Sequence, residues 1–473
     1  MIAAVIAFPL VALTLTVLLP NRAVRSAARF AVSALALLAT IAVAPSLPWL
    51  SAIFAVMVSL LSALATLFST GILPPAGNSA AEPWSRKPAY FILLGGFWSS
   101  MLLAVMSDGF IGLWIGISAT TLATTFLVAY TGGQAALEAA WKYLILCSFG
   151  IAIALIGMLF LGRAAIDAGI APAHALAWDV LAAHAAQLNV PLTRVALTLM
   201  LVGFATKAGL VPMHAWLPDA HSKAPAPVSA LLSGLLVSCA LYALVRVQTV
   251  AAQTPSASLF DAMLSYVGVA SIVIAALFML AQRDVKRLLS YSTVEHAGIV
   301  ALALGLATPL AAFAALYHIL NHAFAKSGAF LSIGIIQEEQ GTTTIGHLHG
   351  LWNVRGGRPF LAALVGLAGL PPFGLFLSEL LVVIAAIQAH AWLLLALALT
   401  GWSIAFAALL RLAIVTESDK PAPSRSRTPR SMIALASGAV ACVTSAALVL
   451  ALMPFVPWSR EIFALLATIF VKR

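Results

Sequence analysis

The sequence predicts an all-α integral membrane protein of about fourteen transmembrane helices, with two inverted five-helix repeats and broken helices 7 and 12. Three observations carry that prediction. Of 473 residues, 62% are hydrophobic and only 8% are charged, against roughly 25% charged residues in soluble domains. The apolar residues fall in runs long enough to cross a hydrocarbon core, which needs about 20 residues per helix. The basic residues sit mostly in the short gaps between those runs, where topogenic charge belongs. A soluble fold of this length would expose aggregating apolar patches, so membrane lipid is the expected surrounding. The net charge of +10 is spread through short loops, so no nucleic-acid partner is expected.

Spans are expected near 2–19, 29–46, 49–70, 88–107, 109–130, 139–162, 193–211, 225–250, 259–282, 285–307, 309–336, 359–388, 391–415 and 431–454. Residues 455–473 read as a short amphipathic tail, and 164–192 and 416–430 as the longest loops. Met1 to Pro20 lacks a basic n-region and passes directly into Arg22, Arg25 and Arg29 without a cleavage site. It therefore reads as a first transmembrane helix and not as a secretory signal. If the loops alternate sides, Arg163, Arg194, Arg246 and Arg460 fall on one side and the other loop cations on the opposite one. The positive-inside rule makes the rich side cytoplasmic and puts the N-terminus outside.

Helix 7 runs into Pro212 and Pro218, and helix 12 carries Pro371-Pro372 between Gly369 and Gly374. Proline at membrane depth is tolerated where the freed backbone groups find protein or water. Taking helices 4–8 and 9–13 as units, the broken helix is the fourth in each. Matched broken segments of this kind point to an ion path. The resulting organisation is a three-helix segment over 1–87, a first repeat over 88–250, a second over 259–415, and a loop, last helix and tail over 416–473.

Cys147, Cys239 and Cys442 lie far apart in apolar runs, and there is no CxxC pair. An iron–sulfur cluster or structural zinc site held by cysteines is therefore not expected. No dinucleotide fingerprint or Walker loop occurs either, so the chain is expected to carry no cofactor and to be a non-catalytic subunit.

Charges inside the spans matter most, because each costs about 2.5–3.5 kcal/mol at a helix centre. Lys207 sits five residues before Pro212, where a lysine finds a partner or gives up its proton; the alternative is a lysine snorkelling to the interface. His318, His322 and Lys326 recur every four residues and so share one helix face. A wet proton path, a satisfied core histidine pair and a zinc pair are the competing readings, zinc being disfavoured because no HExxH glutamate or third ligand accompanies them. Glu379 follows the second break and is the sole carboxylate between Glu339 and Glu417. It suits proton uptake and release, or alternatively bonds to backbone freed by the prolines. Asp219, His221 and Lys223 beyond helix 7 are a proton entrance or a solvated loop.

The run Thr206-Lys207-Ala208-Gly209-Leu210-Val211-Pro212-Met213-His214-Ala215-Trp216-Leu217-Pro218-Asp219 resembles the signature segment of the antiporter-like, proton-translocating subunits of the complex I and membrane-bound hydrogenase superfamily. The likeness extends through Arg283 to Thr293, Glu295-His296, His318 to Lys326, and Gly369 to Glu379, covering roughly residues 88–415. The stretch Ala136-Leu137-Glu138-Ala139-Ala140-Trp141-Lys142-Tyr143 and the short C-terminus resemble the hydrogenase-4 branch. The resemblance implies a proton-translocating subunit of a redox-driven complex in a bacterial inner membrane. It also implies partner membrane subunits and a peripheral arm with iron–sulfur clusters. Within it Lys207 matches the pumping lysine of a first half-channel, His296, His318, His322 and Lys326 a central polar axis, and Glu379 a second half-channel. One departure stands out: Ser118 occupies the helix 5 position where the family has a glutamate facing the lysine, leaving Asp108 or another chain to supply a carboxylate. Ser238 likewise replaces a lysine of many relatives. The same helices would also serve a sodium/proton antiporter, an inorganic-carbon uptake subunit, or a scaffold with a decayed channel.

Overall fold

The computed structural model describes residues 1–71 and 88–416, so the predicted span at 431–454 lies outside the described residues. Among these residues the only β-type pairings are two isolated bridges, Gly109 with Ala177 and Asp284 with Thr344. Eleven helices are long and apolar enough to cross a membrane, and three shorter apolar helices accompany them.

In chain order the helices are α1 (Ile2–Val17), α2 (Arg22–Val43), α3 (Trp49–Gly71), α4 (Pro88–Met106), α5 (Phe110–Val128) and α6 (Gln134–Asp167). They continue as α7 (Trp178–His184), α8 (Val190–Ala208), α9 (Trp216–Lys223), α10 (Ala226–Leu231) and α11 (Val237–Ala251). The remainder are α12 (Ala257–Ala281), α13 (Val285–Gly305), α14 (Pro309–Gln340), α15 (Gly357–Leu367), α16 (Gly374–Gln388) and α17 (Trp392–Thr416). Several starts follow N-cap chemistry, in which a short polar side chain satisfies a free amide. Asn21, Asn189, Asp284 and Thr308 each accept from the backbone three residues on, at 2.8–3.1 Å.

Burial places the centre. The apolar windows of Ala226–Ala251 and Val285–Gly305 are 100% buried and that of Pro309–Gln340 is 94% buried, whereas that of Trp392–Thr416 is only 33% buried. Helices α10, α11, α13 and α14 thus form the core of the bundle, and Leu122, Phe126, Ile145 and Leu159 expose large side chains on its outside. Lipid satisfies such a surface, since apolar side chains there displace no water.

Both predicted breaks are present. Helix α8 stops where Gly209 takes φ +74°, and the chain resumes as α9 after Pro212. Helix α15 stops before Gly369, at φ +64°, and α16 begins after Pro371-Pro372. The region expected as a loop over 164–192 is partly helical. An Arg163–Asp167 ion pair at 2.7 Å supports the end of α6, and Trp178 of α7 packs edge-on against Phe110 at 5.9 Å. The span expected at 225–250 is not a regular helix, because a π turn at Leu232–Leu236 separates α10 from α11. Ser233 there bonds Thr293 at 2.7 Å, and a Cβ at Gly234 would collide with Ser327; insertions of this kind mark local functional strain. Arg246, assigned from sequence to an outer loop, is instead buried within α11. It lies over Trp178 and donates to Tyr242 and Ser51, both at 3.0 Å.

Small residues let the helices approach closely, as membrane packing requires. Gly268 of α12 lies so near α13 that a Cβ would collide with the Leu302 amide nitrogen. Backbone cannot move aside as a side chain can. Gly268→Leu is therefore expected to destabilise the folded chain by about 1–3 kcal/mol, read as a lowered thermal unfolding midpoint in detergent.

Candidate functional site

Lys207 occupies the last turn of α8 and is fully buried. Its ammonium donates to Thr121 Oγ1 at 2.9 Å and to Tyr143 Oη at 2.7 Å, from α5 and α6. Tyr143 in turn bonds Thr124 at 2.6 Å. Among the described residues no carboxylate forms an ion pair with Lys207, and the buried Ser118 hydroxyl makes no hydrogen bond. The α5 residue meeting the lysine is thus Thr121. Asp108 does not supply the charge. It precedes Thr121 by thirteen positions, about 20 Å along a helix, and lines a surface pocket with Arg163 and His174.

From Lys207 the contacts lead inward. Trp216 donates to the Thr206 carbonyl at 2.9 Å, and its ring stands 5.0 Å from Tyr143 and 6.2 Å from His221. His221, buried in α9, meets the Leu217 carbonyl through Nδ1 at 2.7 Å, while Nε2 has no partner. Asp219 behaves differently. It pairs with Arg287 at 2.8 Å and Lys142 at 3.3 Å, and Lys142 pairs with Glu138 at 2.7 Å. These groups reach solvent, so water and salt screen the network and it contributes little to stability. Lys223 is exposed beside it.

The second group gathers on α13, α14 and α16. Lys326 donates to the Leu289 carbonyl at 2.9 Å. His296 Nδ1 and His318 Nε2 are 3.1 Å apart, and the His322 ring is 5.2 Å from His296. Glu295 Oε2 stands 3.6 Å from His296 Nε2. His318 Nδ1 meets Ser378 Oγ at 2.9 Å, one residue before Glu379. The Glu379 carboxylate folds back on the second break, where a Cβ at Gly369 would collide with it. Close packing brings this helix in: a Cβ at Gly374 would also collide with Asn321 of α14. One ligand atom from each of His296, His318 and Glu379 lies within 4.8 Å of the others. His318 is the one α14 donor in this group, and the other two come from α13 and α16.

The family pattern described as NADH:quinone oxidoreductase/Mrp antiporter, transmembrane, matches residues 107–405, and those residues hold both groups of side chains. The chain belongs to this family. It is similar to the "Hydrogenase-4 component F homolog" of Methylacidiphilum infernorum, with 39% identity over 326 residues, 68% of this chain and 68% of that one. Its fold is similar to a chain of the archaeal membrane-bound sulfane sulfur reductase. The TM-score is 0.84 at 23% identity, covering 99% of this chain and 97% of that one. A chain of respiratory complex I from Thermus thermophilus gives a TM-score of 0.78 at 26% identity, covering 97% and 99%.

This antiporter-like chain gathers His296, His318, His322, Lys326 and Glu379 into one neighbourhood and holds Lys207 and His221 in a second that reaches toward it. It leaves Asp219 in a surface network. Sequence reasoning missed Thr121, Tyr143, Glu295 and Ser378 as site residues. Glu295 carried a usable signal, a carboxylate inside an apolar run. The hydroxyls carried none, because a serine, threonine or tyrosine in a span is ordinary.

Proposed function

We propose that the chain is the proton-translocating membrane subunit of a redox-driven complex, of the complex I-like or group 4 hydrogenase-like kind. The observation that carries this is the 3.1 Å contact between His296 and His318. It links the side of the fold holding Lys326 to Glu379 at the second break. Imidazoles relay protons by accepting on one nitrogen and releasing from the other, and titratable side chains at membrane depth are too costly to be incidental packing. Lys207, His221 and Lys326 form the approach, His322, His296 and His318 the centre, and Glu379 the far group. Asp219 serves at the margin, where its ion pairs with Lys142 and Arg287 tie α6, α9 and α13 together.

In this reading the chain crosses a bacterial inner membrane fourteen times with its N-terminus outside. The three-helix segment 1–87 precedes two inverted five-helix repeats over 88–250 and 259–415, and 416–473 completes the chain. The glycine-terminated breaks at Gly209 and Gly369 support that correspondence. Electron transfer belongs to partner subunits bearing iron–sulfur clusters. The hydroxyl-only setting of Lys207 favours a second reading, in which the first half-channel has decayed and the chain acts as a scaffold. A sodium/proton antiporter or inorganic-carbon uptake subunit would use the same helices.

Purification of the chain from native membranes in mild detergent tests the choice. Co-purifying subunits containing iron–sulfur clusters, with or without nickel, are the expected result. A set of metal-free membrane partners, or a soluble zinc protein, would reject a redox-driven complex.

A further inference from the structure

We propose that His296, His318 and Glu379 form a binding site for a transition-metal dication, best matched by Zn²⁺, and that its occupation blocks the relay between the two histidines. The blocking step rests on the function proposed above; the binding step does not.

The donors converge from α13, α14 and α16, with one ligand atom of each inside 4.8 Å of the others. His296 Nδ1 and His318 Nε2 are already 3.1 Å apart. Tetrahedral zinc with bonds of about 2.0–2.1 Å places neighbouring nitrogens about 3.3–3.4 Å apart. The two facing nitrogens are thus already close to that spacing, and the Glu379 carboxylate lies within 4.8 Å of a nitrogen of each ring. Two imidazoles and one carboxylate leave a fourth position open, a donor set suited to zinc. Mg²⁺ and Ca²⁺ prefer oxygen-only shells and would be excluded by it.

Ligating histidines are held by a partner on their other nitrogen, and His318 has one. Ser378 Oγ donates to the Leu375 carbonyl at 2.8 Å, so it accepts from His318 Nδ1 at 2.9 Å. That leaves the Nε2 lone pair of His318 free for a ligand. His296 can carry its proton on Nε2, which faces the Glu295 carboxyl at 3.6 Å; moving it there frees Nδ1. Ligation thus requires a tautomer shift at one ring and no net loss of a proton from either. His322 adds a reserve donor, since its buried Nε2 has no partner and its ring lies 5.2 Å from His296. At the second break Glu379 is half-buried beside the exposed Leu370, Pro371 and Pro372. A dication on both facing nitrogens occupies the lone pairs that would pass the proton, and the relay stops.

The test titrates the purified, chelator-treated complex with Zn²⁺ by calorimetry and with Co²⁺ as an optical probe. The expected result is one saturable site per chain, a tetrahedral Co²⁺ absorption band displaced by Zn²⁺, and no competition by Mg²⁺. His318→Ala and Glu379→Gln should remove the site. Because His318→Ala could also disturb folding, Ser378→Ala supplies the second variant. It keeps all three ligands and should weaken Zn²⁺ binding about 10–100-fold, as loss of an outer-shell partner does. Absence of saturable binding, or binding unchanged in these variants, would overturn the site. In inverted membrane vesicles, Zn²⁺ should inhibit proton translocation at the concentration that fills the site, with Ser378→Ala shifting both equally. Full occupation with undiminished flux would overturn the block. Proton flux without zinc tests the proposed function separately, so either can fail alone.

Discussion

Replacing Lys207 with alanine is expected to abolish redox-driven proton translocation while the chain still inserts and assembles. At the first break the amine contacts both α5 and α6, through Thr121 and Tyr143. A positioned proton-transfer group is commonly worth on the order of 10²-fold or more in rate, and alanine removes it entirely. The structural cost should be small, because Tyr143 keeps its bond to Thr124 at 2.6 Å and a desolvated charge is removed with the side chain. Proton uptake into inverted vesicles, measured beside the amount of assembled subunit, reads the two effects apart. Tyr143→Phe should give a partial loss, since Thr121 still holds the amine. Unchanged translocation in Lys207→Ala would favour the scaffold.

His318→Leu is the second large expected effect. The substitution nearly preserves volume but deletes both ring nitrogens, cutting the 3.1 Å contact with His296 and the 2.9 Å contact with Ser378 together. Translocation should again fall on the order of 10²-fold, because the substitution removes both contacts of the ring at once. The His296→Leu, His318→Leu double variant should be no worse than either single one, as expected when two residues act as one unit. Additive losses would mean that the two rings serve separate paths.

The bundle was legible because its solvent is lipid: long apolar runs and loop cations report helix positions almost directly. Lys207, His318, Lys326 and Glu379 stood out by the same logic, as charges or rings set in apolar surroundings. The two breaks were legible from Pro212 and Pro371-Pro372. What stayed hidden was whatever depends on contacts between distant helices. Thr121 and Tyr143 meet Lys207 only because α5, α6 and α8 pack together, and Ser378 meets His318 only because Gly374 lets α16 approach α14. The π turn at Leu232–Leu236 was marked only by Ser233-Gly234, a pair that an intact helix can also carry. Arg246 was misplaced because loop cations and buried cations look alike until an aromatic partner such as Trp178 is found.

Ending α8 at Ala208 has an electrostatic consequence for Lys207. The aligned peptide groups of a helix leave about half a negative elementary charge at its C-terminus, and Lys207 lies in that last turn. The break therefore gives the ammonium a favourable macrodipole, typically about 0.3–1 kcal/mol and up to about 2 kcal/mol where partly buried. Unlike a carboxylate, this counter-charge can neither be protonated nor swing away. Where a glutamate would let the partner switch, the truncated helix fixes the field, and Lys207 itself must move through that field or release its proton.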